Sequence, residues 1–350
     1  MKRTIITLIQ ATVTFGLLWY IFRDPKNNAA MWEAIRESYL GWLVLGVASI
    51  GVAALIQAQR WHLLLEAQGI ALGWLRTLRI YMIGFFFNLF LLGSTGGDVV
   101  KIYYAIRETH TRKSAAFLSV IVDRMMGMLA LATISAFVIV LRWNIFMAHD
   151  VTQGLLGAFA VVLGAMVGLV VAGFLVDRLG LADKLPHWLP LRKAIIDFAT
   201  AFSVYARGGR VLAKTFTLSL LCHVFNFGAF YCAARALGYF TGWQGLLDIC
   251  SIIPIVMTLT ALPISLSGVG VREKLFVVLC GIMFAVPETV AVPISLLGFA
   301  PMIFWAIVGG VVYFFYRPQG GLRLDAGNFD ANDTTVAIDS PTVGPPYSRN

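Results

Sequence analysis

The run from Ala115 to Leu141 is apolar over a length that crosses a bilayer, yet it carries Asp123 and Arg124 side by side. A bilayer core needs about 20 apolar residues of helix. The sequence repeats such runs at Ile5–Phe22, Leu40–Leu65, Leu155–Val176, Leu212–Leu237 and Val290–Tyr316. Six stretches of this length cannot be folded away inside a water-soluble core of 350 residues. Composition agrees: 59% of residues are hydrophobic and 13% charged, against about 25% charged in soluble domains. The chain reads as an all-α polytopic membrane protein. Soluble enzymes, disulfide scaffolds and disordered chains are excluded.

Two further apolar stretches are broken by small polar residues. Ile80–Leu92 gives way to Gly93-Ser94-Thr95-Gly96-Gly97-Asp98 before Val99–Ile106. Leu246–Leu262 gives way to Pro263-Ile264-Ser265-Leu266-Ser267-Gly268-Val269-Gly270 before Val271–Ala285. Irregular backbone at membrane depth is tolerated only where protein or a watery cavity satisfies it. Both stretches are expected to be re-entrant hairpins, each arm marginal as a full span.

The net charge of +9 is not the stripe that nucleic acid would require. The basic residues gather in the gaps between apolar runs, where they fix orientation. With six spans and two hairpins, 18 of the 27 basic residues fall on or near the cytoplasmic side. Both termini are then cytoplasmic. Lys2 and Arg3 precede a first run too long for a signal peptide, which is expected to stay as an anchor. Residues 183–209 carry the spacing of an amphipathic surface helix, and the polar tail 318–350 that of a disordered segment. The cysteines, Cys222, Cys232, Cys250 and Cys280, lie in apolar runs without metal spacing. No metal or cofactor is expected.

A shift of 171 positions superposes the halves, repeat 1 at about 39–141 and repeat 2 at about 210–316. Ser94, Gly97 and Val100 then fall on Ser265, Gly268 and Val271, Lys101 on Arg272 and Gly127 on Gly298. The first unit would start outside and the second inside. Inverted-topology repeats with paired broken helices are a transporter design, with the site between them near the midplane.

The candidate residues follow from that symmetry. Ser94, Thr95, Gly96 and Gly97 precede a helix whose free N–H groups favour an anion, and a lipid phosphate is the obvious one at that depth. Lys101 and Arg272 sit one turn beyond matched glycines, where a cation neutralises phosphate. Ser267 and Gly268 are the second tip's counterparts. Asp98, Asp123, Arg124 and Glu273 complete an intramembrane charge network. Charges at this depth cost several kcal/mol unless paired. Asp123 is expected to pair with Lys101, and Arg124 with Asp98. Arg60 and Arg235 read as interfacial anchors, Asp248 as a helix cap, and His223 as a hydrogen-bonded core residue.

Motifs for metalloproteases, P-loop enzymes, intramembrane proteases and dinucleotide binding are missing from the sequence. The blocks Gly93–Lys101, Val122-Asp123-Arg124-Met125-Met126-Gly127 and Leu262-Pro263 to Glu273 occur in order. Together they resemble the transmembrane, flippase-like family of lysylphosphatidylglycerol synthases over about residues 1–317. Leu266 and Ser267 stand where that family usually has a proline and a glycine. The resemblance implies movement of an anionic or isoprenoid-phosphate lipid between leaflets of the cell (inner) membrane. It also implies envelope-biosynthesis enzymes as candidate partners. No synthase domain follows residue 317 in this sequence, so a non-enzymatic role is expected. The alternative is a membrane-embedded transferase, or its accessory subunit, acting on lipid-linked substrates.

Overall fold

The computed structural model describes residues 12, 14, 16, 17, 19–90, 96–109, 113–178, 209–260 and 268–318. Ser94, Thr95 and Ser267, the amphipathic segment and nearly all of the tail lie outside them, as does most of the first apolar run. The described chain is helical, without strands among those residues. After a helical segment that ends at Phe22, α1 spans Pro25–Arg36, α2 Leu40–Ala67, α3 Trp74–Phe90, α4 Gly96–Thr109, α5 Lys113–Leu141 and α6 Trp143–Met147. Then follow α7 Asp150–Arg178, α8 Gly209–Ala236, α9 Gly242–Thr260, α10 Val271–Phe284 and α11 Glu288–Phe315.

Local chemistry sets the boundaries. Asp24 accepts from the Lys26 amide at 3.0 Å and Pro25 opens α1, a standard start signal. Gly270 takes φ +85° immediately before α10, and Ala285 takes φ +54° immediately after it. Pro254, Pro293 and Pro301 sit inside α9 and α11, as is tolerated in helices that cross a membrane.

Five helices are long and apolar enough to cross a membrane: α2, α5 from Ala115, α8, α9 and α11. Of the six runs expected to span, four are in that set. The Leu155–Val176 run lies within the 29-residue α7. The surprise is α9. Read as a marginal hairpin arm, it is a 19-residue helix of spanning length.

Both interrupted stretches fold back on themselves. In the first, Gly97 of α4 lies against Gly84 of α3, and Arg76 near the start of α3 reaches Glu108 near the end of α4 at 3.8 Å. In the second, Gly268 packs on Thr260, while the Phe240 and Phe284 rings at the far ends meet edge-on at 5.5 Å. Each pair is therefore antiparallel.

The helices α2 and α8 form the central seam, and they too run antiparallel. The Tyr39 amide donates to Ala236 O at 2.9 Å, Ser49 Oγ to Phe225 O at 2.7 Å, and Arg60 Nη1 to Ser219 Oγ at 2.9 Å. Around this seam the contacts come in matched sets. α2 packs on α5 as α8 packs on α11, α3 on α11 as α9 on α5, and α4 on α5 as α10 on α11. Gly127 makes room for Arg60, whose Nη1 would lie 3.2 Å from an added Cβ. The matched Gly298 makes room for Phe230, whose ring would lie 2.2 Å from one.

Candidate functional site

Four helices converge on a buried ionic cluster. Arg60 comes from α2, Asp98 and Lys101 from the first turns of α4, and Asp123 and Arg124 from α5. Ser219 of α8 closes the far side. Arg60 Nε donates to Asp123 Oδ1 at 2.7 Å, and Lys101 Nζ lies 2.9 Å from Asp98 Oδ1 and 3.7 Å from Asp123 Oδ2. Arg124 Nε donates to Asp98 Oδ2. Both expected pairs, Asp123 with Lys101 and Arg124 with Asp98, are present.

The sequence reading is wrong about the strongest partner. Arg60 is no interfacial anchor; it is buried and is the nearer cation to Asp123. Its position near the end of an apolar run suggests snorkelling, but α5 and α8 cover that face of α2. A signal was available. Gln57 and Arg60 stand three apart on α2, and Thr215, Ser219, His223 and Asn226 recur on one face of α8. Gln57 accepts from the Tyr81 hydroxyl at 2.7 Å, and His223 Nε2 meets Gly127 O at 2.9 Å, as a core histidine should.

Aromatic rings enclose the ammonium. Lys101 Nζ stands 5.2 Å from the Tyr81 ring centroid and 5.6 Å from that of Trp61, within cation–π range. Trp61 is fixed by its indole N–H donating to Ser119 Oγ at 3.2 Å. Lys101 is 4% exposed, whereas the Arg124 side chain is 32% exposed and opens the cluster outward. Three cations (Arg60, Lys101, Arg124) face two carboxylates (Asp98, Asp123), so the cluster carries 3 − 2 = +1 among the described residues. A largely buried excess of cations of this kind would favour an anion.

Gly97 at the first tip is packed closely between α3 and α4. A Cβ on Gly97 would lie 1.9 Å from Gly84 O, so this glycine lets α3 and α4 touch. Its N–H donates to Asn88 Oδ1 at 2.8 Å, so Asn88, in place of a phosphate, satisfies this first-turn amide. Gly96 is buried beside it.

Beyond the second tip, Arg272 and Glu273 form a buried ion pair. Arg272 pairs with Glu273, donates to Ser295 Oγ at 3.2 Å and stacks on Phe299 at 3.6 Å. Glu273 Oε2 accepts from the Gly270 amide at 2.7 Å, so α10 carries its own anion at its N-terminus. Gly268 takes φ +77°, as a tip glycine can. Leu17 and the Thr14 carbonyl of the N-terminal segment press on Gly270. The structure does not unite Arg272 with Lys101 in one pocket. Asp248, expected as a cap, instead lies inside α9 and pairs with Arg142 just beyond α5. Arg235 lies over the Trp42 ring at 5.1 Å.

No group of three or more His, Cys, Asp or Glu suited to a metal occurs among the described residues. The fold and the cluster together define a multi-pass helical membrane protein with ionised groups held inside the bundle. Residues 7–317 match the family model for the lysylphosphatidylglycerol synthase TM region, and the chain belongs to that family. Neither the curated proteins nor the solved structures yield a significant match.

Proposed function

We propose that the protein is a flippase-like transporter that moves an anionic or isoprenoid-phosphate lipid between the leaflets of the cell membrane. One observation carries this reading: among the described residues, three cations, Arg60, Lys101 and Arg124, meet two carboxylates, Asp98 and Asp123, inside an apolar bundle. A phosphate monoanion would cancel that excess. Arg124, the accessible cation, would meet the phosphate first, with Lys101 behind it.

The antiparallel α2–α8 seam, the two antiparallel hairpins and the paired contacts support an inverted repeat. Six spans with two re-entrant hairpins, in the inner membrane and with cytoplasmic termini, remain the arrangement favoured by the positive-inside bias. The second hairpin, where Arg272 pairs with Glu273 and Glu273 caps the helix, would act as a hinge; the first would carry the charge. Envelope-biosynthesis enzymes that make or consume the lipid are the partners this role implies.

The test is leaflet exchange in proteoliposomes holding purified protein and a fluorescent phosphatidic acid or isoprenyl phosphate. Exchange of the phosphate-bearing lipid above protein-free vesicles, lost in Arg124→Gln, is the expected result. Equal rates with and without protein would refute transport of these lipids. Conversion of the probe into a new chemical species would instead mark a membrane-embedded transferase.

A further inference from the structure

Arg124 and Arg142 stand on one face of the same helix. α5 runs from Lys113 to Leu141, and the Arg142 amide still donates to Val138 O at 2.9 Å, so the helical ladder reaches Arg142. The two arginines are about five turns apart, or about 27 Å along the helix at 1.5 Å per residue. Each is paired with an aspartate of a different hairpin, Arg124 with Asp98 of α4 and Arg142 with Asp248 of α9. We infer that Arg142 is a second binding site for the lipid phosphate that the ionic cluster receives, with Asp248 holding its place when the lipid is absent. The inference rests on the headgroup reading above.

The depth of Arg142 suits a headgroup. Trp143 follows it directly and Trp243 lies one and a half turns before Asp248, and both indoles are exposed. Exposed tryptophans at the ends of spanning helices mark the membrane–water interface. The separation from Arg124 is most of a hydrocarbon core about 30 Å thick. A phosphate that leaves Arg124 and reaches Arg142 has therefore crossed most of the membrane along one helix face.

The pair at this end is set up for exchange. Its side chains are less deeply buried than those of Arg60 and Asp123. Gln244, turned so that its amide oxygen faces the guanidinium, accepts from Arg142 beside Asp248. Arg142 Nε is buried and has no partner among the described residues, so the guanidinium keeps a spare donor. A phosphate brings enough acceptors to satisfy that N–H and to replace the carboxylate. The returning Asp248 then expels the phosphate, which keeps the site from becoming a trap; passage needs binding weak enough to leave. Between the arginines the same face of α5 carries the buried Ser135, and α9, which packs on α5, adds the buried Ser251 one turn from Asp248. The seam between α5 and α9 is closed in this structure. Movement of the second hairpin off α5 opens it.

The probe is phosphatidic acid with a diazirine beside the phosphate, in phosphatidylcholine proteoliposomes, with labelled residues read by peptide mass spectrometry. Label should appear in two places, around Arg124 and around Trp143 and Gln244. Asp248→Asn removes the competing carboxylate and should raise the second label severalfold. Arg142→Gln combined with Asp248→Asn strands no charge. That double variant should keep the parental melting temperature in detergent and the label around Arg124. It should lose the label around Trp143 and exchange phosphatidic acid about tenfold more slowly, as loss of a charged hydrogen bond implies.

A pair that only fastens α9 to α5 predicts the parental exchange rate in the stable double variant, and that result would overturn the inference. Label around Trp143 that persists in the double variant would mean bulk interfacial lipid and overturn it too. Should the double variant melt early, Asp248→Asn alone decides: a second label no stronger than the parent's overturns the inference. Label around Arg124 alone would remove the second site and leave the headgroup reading standing. Label at neither place would overturn both.

Discussion

Arg60 of α2 and Asp123 of α5 meet at 2.7 Å inside the bundle, 63 positions apart in sequence. This pair, rather than the two tips, is the mechanical centre of the site. It ties the central seam to the helix that carries Arg124, and Gly127 one turn further along α5 leaves the guanidinium its space.

Asp123→Asn should therefore be the most damaging single change in the cluster. It strands Arg60 and reduces the support for Lys101, and breaking a buried pair costs about 3–5 kcal/mol. Thermal unfolding in detergent measures the loss. Arg60→Met in the same chain should restore more stability than Lys101→Met does, because Arg60 is the nearer partner (2.7 Å against 3.7 Å). Equal rescue by the two would assign the pairing wrongly.

Arg124→Gln separates binding from folding. Its side chain is the accessible one of the three cations, and the change takes the cluster from +1 to neutral. Affinity for phosphatidic acid, read by microscale thermophoresis in nanodiscs, should fall about tenfold, or ~1.4 kcal/mol. The melting temperature should move little. A variant that bound phosphatidic acid as the parent does would remove the charge argument.

Much of this architecture is legible in the residues, for definite reasons. The 27 residues Ala115–Leu141 could only be a helix of bilayer length, and Asp123 within them had to find a cation. Gly127 and Gly298, paired by the offset of 171, each leave room for a side chain of a neighbouring helix, Arg60 and Phe230. What the pattern hides is the third dimension. Arg60 stands near a run end, and sequence position does not say that α5 and α8 cover it. Gly97 reads as a ligand cradle because glycine permits close approach. The partner that approaches is the Gly84 carbonyl, and no local signal distinguishes backbone from ligand. Arg272 matches Lys101 in register, but the neighbouring Glu273 cancels its charge.

Gly97→Ala tests that distinction directly. The added methyl would lie 1.9 Å from Gly84 O and must part α3 from α4. Overpacking of this kind costs about 1–3 kcal/mol. The variant should melt earlier in detergent, and saturating phosphatidic acid should not restore the parental melting temperature. Unchanged stability with lost lipid binding would return Gly97 to the ligand.

Topology follows from the antiparallel hairpins. Tyr39, bonded through its amide to Ala236 O, shares an end of the bundle with Tyr239, and Asn144 follows α5 next to Arg142, which reaches Asp248 of α9. Single cysteines at Tyr39, Asn144 and Tyr239 should react with an impermeant maleimide from outside. One at Arg317, beyond α11, should react only after the membrane is opened. Labelling of Asn144 and Arg317 from the same side would break the inverted arrangement.

The second tip yields the sharpest contrast with the sequence symmetry. By register, Arg272 should do what Lys101 does and hold a phosphate, and its removal should spare the fold. In the structure its charge is already spent. Arg272 is 6% exposed and Glu273 fully buried; they pair, and Glu273 also caps α10 through the Gly270 amide. Arg272→Ala would leave a buried carboxylate beside Ser295 without its cation, at a cost of about 3–5 kcal/mol. It should unfold early in detergent, and any loss of lipid exchange should track the loss of folded protein. Replacing both partners, Arg272→Met with Glu273→Gln, removes the stranded charge and keeps a side chain able to accept from Gly270. That double variant should regain most of the stability and, on the proposal that the phosphate meets the Arg60–Lys101–Arg124 cluster, exchange lipid at close to the parental rate. A double variant that is stable yet inactive would make Arg272 part of the lipid path after all.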